Sequence, residues 1–150
     1  MAKKVNIRFQ IKGVEILEME LKQPKEVLPP EVTYNFNLSI EHKVSSEQKL
    51  LMVLVGVSVR KKEDDNKLLG RVLVNCVYAV GNFDEVVKKI GPKKYDVPDE
   101  IIDLVNSISI STARGVMAAM FKGTFLHNAV LPVIDPQKLG RKGVDSSAGK

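Results

Sequence analysis

The chain has 150 residues, with 23 Lys and Arg against 18 Asp and Glu for a formal net charge of +5, and a single cysteine. At 44% hydrophobic and 27% charged it has the make-up of an ordinary globular domain, which excludes a disordered tail or a collagen-like fibre. No apolar run nears the roughly 18–20 residues that span a bilayer, Met1-Ala2-Lys3-Lys4 leads into no apolar signal segment, and Cys76 alone cannot close an internal disulfide, so a reducing cytoplasm is the expected setting.

The first half of the chain reads as strands. Val5, Ile7, Phe9 and Ile11, then Leu17, Met19 and Leu21, alternate with polar residues, the pattern of a strand with one buried face. Gly13 and the inverted Val14-Glu15-Ile16 predict a bend or bulge between them. Pro24 and Pro29-Pro30 close this segment. A second alternating run carries Val32, Tyr34, Phe36, Leu38, Ile40, His42 and Val44 on one face.

Leu50 to Val59 is apolar at both parities, and its valines favour a strand covered on both faces. Arg60 to Lys67 reads as a hairpin tip, and Leu68 to Val80 returns as a fourth strand, again apolar at both parities. A one-sided antiparallel sheet should show polar residues on its free face. A further layer, from this chain or another molecule, is therefore expected on these two strands.

The second half changes character. Phe83 to Ile90 reads as a short amphipathic helix stopped by Gly91-Pro92, and Lys93 to Pro98 as a loop. Pro98 and Asp99 then offer a helix start. From Ile101 to Lys122 two apolar stripes run at helical spacing, one through Ile101, Val105 and Ile108, the other through Ile102, Ala113 and Met117. A helix apolar nearly all round is one held between two partners. It also carries small residues suited to close backbone approach, and Ser107, Ser111, Gly115 and Ala119 are the expected oligomer interface. Gly123 supplies a C-cap. The connection from Thr124 to Pro136 is apolar where connections are usually polar, so it must lie against something. Beyond Leu139 a flexible basic tail (140–150) is expected, giving one domain over residues 1–139.

Chemistry is scarce. His42 and His127 have no partners at metal-ligand spacing, so no metal is expected. Cys76 reads as a small buried hydrophobe. No glycine-rich loop opens a helix, so no phosphate cradle or other cofactor site is signalled. Basic residues fall in short clusters, Arg60-Lys61-Lys62 being followed at once by acidic Glu63-Asp64-Asp65, and aromatics make up only 5%. That pattern does not suit nucleic acid. The residues argue for no enzyme.

Several local runs resemble the SecB family of protein-export chaperones. Lys122-Gly123-Thr124-Phe125 with Leu131-Pro132-Val133 is similar to the family's end-of-helix (R/K)-G-T-F and the P-V of its crossover loop. Pro30-Glu31-Val32, with Tyr34 and Phe36, resembles the start of its second strand, and Ala113-Arg114 a common pair in its long helix. The match spans about residues 5–139. It implies an α+β fold, a four-stranded antiparallel sheet with a long helix and short helical segments on one face, assembled as a homotetramer from two dimers. It also implies an ATP-independent holdase for unfolded polypeptides, with no cofactor and no membrane insertion.

By position, the resemblance places Val32, Tyr34 and Phe36 on the groove-lining strand and Phe125, Leu126, Leu131, Val133 and Ile134 on the flanking crossover loop. The export ATPase SecA and an aggregation-prone antitoxin are the candidate partners. Members that deliver to SecA are acidic, whereas this chain is basic, carries Asn75 and Cys76 near the family's glutamate, and shortens the C-terminal helix to Asp135–Leu139. These departures suit the antitoxin-protecting role. The runner-up is a small α+β ligand-binding or enzymatic domain with an apolar groove.

Overall fold

The alternating first half folds into four long antiparallel strands, β1 (Phe9–Leu21), β2 (Tyr34–Ser45), β3 (Leu50–Lys61) and β4 (Asp64–Val80). They are followed by α1 (Phe83–Val86), β5 (Lys88–Gly91), β6 (Lys94–Asp96), the long helix α2 (Asp99–Met120) and β7 (Val144–Ser146). The computed structural model describes residues 8–29, 31–62, 64–134 and 144–146. Val5, Ile7 and the short helix expected at Asp135–Leu139 lie outside them.

Strand order is β1-β4-β3-β2-β7-β6-β5, so β3 and β4 form the centre of the four-stranded unit. That position answers the double-sided apolar pattern. Val53 stands opposite Cys76 on one side and His42 on the other, and Val55 opposite Val74 and Ile40, so these side chains share one face. This inner face carries the core: Leu51, Val53, Val55, Val57 and Val59 of β3 and Val72, Val74, Cys76 and Tyr78 of β4 are all fully buried. Both helices contribute buried residues to the same core, Phe83 and Val86 from α1 and Ile101, Val105, Ile110, Ala113 and Met117 from α2. The outer face, with Met52, Leu54, Leu73, Val77 and Ala79 half-buried, carries no helix among the described residues.

The buried face of α2 departs from the apolar stripes in its phase, because it includes Asn106 and Ser109. Each answers a polar side chain of the sheet. His42 Nε2 lies 2.5 Å from Asn106 Oδ1, and the Tyr78 hydroxyl lies 2.7 Å from Ser109 Oγ while donating to the Val105 carbonyl at 3.4 Å. A buried hydroxyl or imidazole without a partner would cost about 1–3 kcal/mol, so these two helix positions are fixed by the sheet beneath them. Burial holds the His42 pKa below its ordinary value, partly opposed by the Asn106 bond. Burial also raises Tyr78 to about 12 and pushes the Cys76 thiol up.

Three expectations are corrected. The helix expected to reach Ile90 ends at Val86, because Lys88–Gly91 pairs with Lys94–Asp96 in a hairpin, strand included where a loop was expected. Its turn runs through Gly91-Pro92, with Lys93 at φ 66°. Strand β1 does not bury one face: Ile11, Val14, Ile16 and Met19 lie on the inner side yet stay exposed, since α2 packs on β3 and β4 and does not reach the edge. The irregularity expected at Gly13 is present, and a second one falls between Ile16 and Glu18. Val144–Ser146 pairs with Lys43 and Val44 of β2 and with Lys94 and Tyr95 of β6.

Candidate functional site

The end of α2 explains its sequence motif residue by residue. Gly123 takes φ +79°, a conformation in which a side chain would be strained, and turns the chain off the helix. The Thr124 hydroxyl donates to the Phe121 carbonyl at 2.7 Å, which also accepts from the Thr124 amide at 3.0 Å, and it accepts from the Leu126 amide at 3.1 Å, so one residue closes the helix end and pins the start of the loop. The His127 amide bonds to the Thr124 carbonyl and the Ala129 amide to the Leu126 carbonyl, giving the crossover loop a turn-rich start.

From there the loop sorts its residues by depth. Leu126, Ala129 and Leu131 are buried, while Val130 is 59% and Val133 94% exposed, with Phe125 and Ile134 half-buried. Leu126 lies over Gly70, where a Cβ would come within 2.5 Å of Leu126 Cδ1. Gly70 stands opposite Val59, which stands opposite Phe36. With neighbouring strands about 4.8 Å apart, the loop and the Phe36 side of β2 therefore border the same end of the inner face. Tyr34 and Phe36 pack together with ring centroids 6.4 Å apart. Burial raises the Tyr34 pKa above its ordinary value. Two polar bonds tie the loop back to the helix: Arg114 Nε donates to the Leu131 carbonyl at 2.8 Å and Nη2 to the Pro132 carbonyl at 2.9 Å.

No protein-family model matches the chain, and no curated protein matches it in sequence. Among solved structures it is similar to a SecB-like chaperone of Mycobacterium tuberculosis, solved in complex with a ChAD peptide from the HigA1 antitoxin. The two share 12% identity, with a TM-score of 0.55 over 85% of this chain and 91% of that one. The fold is SecB-like. The resemblance of the short motifs and the likeness of the backbone thus agree on a SecB-like α+β fold, here a four-stranded antiparallel sheet with one long helix.

Within this SecB-like fold the expected groove residues part into two groups. Tyr34, Phe36, Phe125 and Ile134 are half-buried against the core, and Val32, just before β2, is also half-buried. Val133 projects from the loop. Leu126 and Leu131 are fully buried and act as anchors of the protomer core. The expected interface residues Ser107, Ser111, Gly115 and Ala119 all lie on the exposed side of α2, joined there by Leu104 and Met120. A Cβ at Gly115 would meet nothing within 4 Å in the protomer.

Sequence reading gave Arg114 no role beyond a motif pair and missed Gly70, whose signal was a lone glycine within an otherwise large-residue strand. An open depression lined by Arg8, Phe9, Gln10, Lys12, Ala79 and Gly81 lies at the β1 edge, away from the groove residues, and half its lining is polar. It does not supply the apolar groove of the ligand-binding alternative. Among the described residues no group of His, Cys, Asp and Glu could hold a metal ion, and no helix is long and apolar enough to cross a membrane.

Proposed function

We propose that this protein is an ATP-independent chaperone that binds unfolded, apolar polypeptide segments in the region bordered by Val32, Tyr34 and Phe36 and by Phe125, Val133 and Ile134. The observation that carries the reading is the crossover loop. It is fixed by buried anchors and side-chain bonds, yet it holds Val130 and Val133 out to solvent. A connection with no partner would place polar residues there. Apolar contact is worth about 25 cal/mol per Å² buried and demands no particular sequence, which suits a holder of unfolded chains.

Self-association takes up further apolar surface in this reading. The exposed row of small residues on α2 allows helices to approach closely, and Ile11, Val14, Ile16, Leu17 and Met19 lie exposed along the edge strand β1. Two such surfaces on one protomer suit a tetramer built from two dimers. The neighbour's antitoxin peptide and the basic charge here favour an apolar, aggregation-prone partner such as an antitoxin over delivery to SecA, within the cytoplasm. The deciding assay follows light scattering of an unfolding client, without nucleotide, as protein is added up to a molar excess. Scattering should fall near equimolar protein; unchanged scattering at excess overturns the reading. Native mass spectrometry of the same sample should show four protomers and no bound small molecule.

A further inference from the structure

We propose that Arg114 is a positioning residue for client binding: its guanidinium, bonded to the Leu131 and Pro132 carbonyls, sets where the apolar edge of the crossover loop stands and thereby how tightly a polypeptide segment is held. The proposal rests on the holdase reading above and adds a residue to it. Its ground is the place where the two bonds fall. Leu126, Ala129 and Leu131 anchor the loop through buried side chains, but Pro132 and Val133 are exposed. Arg114 takes hold at this handover, where apolar anchoring stops and the exposed residues begin.

The chemistry fits that task. Pro132 has no amide hydrogen to bond and restricts Leu131 to extended backbone, so this stretch is secured through its carbonyls. A planar guanidinium presents several N–H groups in a rigid fork and can hold two acceptors at once. Bonds from an ionised donor are stronger than neutral ones, and a bond to a carbonyl leaves no carboxylate to be protonated or displaced. The neighbouring helix positions, Ala113 and Gly115, are too small to support the loop. Losing the fork frees Val133 to move while Leu126 and Leu131 stay in the core.

The test measures binding of a fluorescein-labelled, unstructured peptide rich in Leu and Phe by anisotropy, with the full chain in its native assembly. Arg114→Ala should weaken binding by on the order of tenfold, the effect of about one charge-assisted hydrogen bond. Val133→Ser should weaken it too, and the double variant should bind no worse than Arg114→Ala alone, because a displaced Val133 has little left to lose. Arg114→Lys, which keeps one cationic donor, should recover part of the affinity with an unchanged melting midpoint. It carries the measurement if Arg114→Ala does not fold. Equal binding by wild type and Arg114→Lys together with Arg114→Ala, or losses that multiply in the double variant, would overturn the positioning role while leaving the holdase reading intact. A wild-type protein that fails to bind the peptide overturns the holdase reading itself, and the proposal with it.

Discussion

Two glycines of the sheet meet the same nominal obstacle and should respond in opposite ways. A Cβ at Gly70 would lie 2.5 Å from Leu126 Cδ1 and 3.4 Å from Phe121 Cζ, and one at Gly56 would lie 2.5 Å from Ser39 Oγ. Leu126 and Phe121 are fully buried, so they can yield only by leaving their packed rotamers. Ser39 is exposed and its hydroxyl bond to the Gly56 carbonyl is long, at 3.5 Å, so it swings away freely. Overpacking of the first kind costs roughly 1–3 kcal/mol, against a gain of about 0.4–1 kcal/mol from the reduced freedom of the unfolded chain on replacing glycine.

Gly70→Ala should therefore lower the melting midpoint by about 2–8 °C, while Gly56→Ala leaves it unchanged or raises it slightly. Leu126→Ala alone should cost about 2–5 kcal/mol. Combined with Gly70→Ala it should cost at least about 1 kcal/mol less than the sum, since the cavity accepts the new methyl. Calorimetry at one fixed protomer concentration checks all four, because an assembly's midpoint depends on concentration. A neutral Gly70→Ala, or strict additivity in the double variant, would refute the claim that the crossover loop is seated on β4 through this contact.

Gly115→Ala should stabilise the helix by up to about 1 kcal/mol, whereas Gly115→Leu and Ala119→Leu should break the assembly, read by sedimentation; an unaltered oligomer in both would remove the close-approach argument. Val133→Asp should leave the melting midpoint within about 0.5 kcal/mol of wild type, as at other exposed positions, and abolish aggregation suppression, whereas Leu131→Asp should unfold the protomer. The folded-state pKa of His42 lies below its ordinary 6.5 because burial disfavours the cation. The unfolded chain therefore takes up its proton first as pH falls. Stability should hold above about pH 6.5, decline below it, and level off beneath the depressed folded value. His42→Gln should remove that step from a plot of midpoint against pH.

Alternation made β2 readable, and the valine-rich runs apolar at both parities made β3 and β4 readable as the central strands. Alternation misled at β1, where Ile11, Leu17 and Met19 follow the pattern of a strand with one buried face but stay exposed. Alternation marks an apolar face and does not say what covers it. The extent of α2 was legible from Pro98 and Gly123, yet its inward face was not. Asn106 and Ser109 look like solvent residues until His42 and Tyr78 are known to stand beneath them. The hairpin Lys88–Asp96 was read as helix and loop because pairing between two short segments leaves little local signal. Three of the loop's seven apolar residues, Leu126, Ala129 and Leu131, proved to be core. Depth in an irregular connection is set by tertiary partners such as Arg114 and Gly70, many residues away along the chain.

The single thiol, sealed between Val53 and the long helix and held in its unreactive protonated form, provides a built-in clock for the separation of those layers. A disulfide reagent can reach Cys76 only when the helix lifts from the sheet, so its labelling rate counts such openings without any engineered probe. If a guest chain rests on the rim of the closed sandwich, saturating guest leaves that rate alone or slows it; a guest that must pry the layers apart would quicken it.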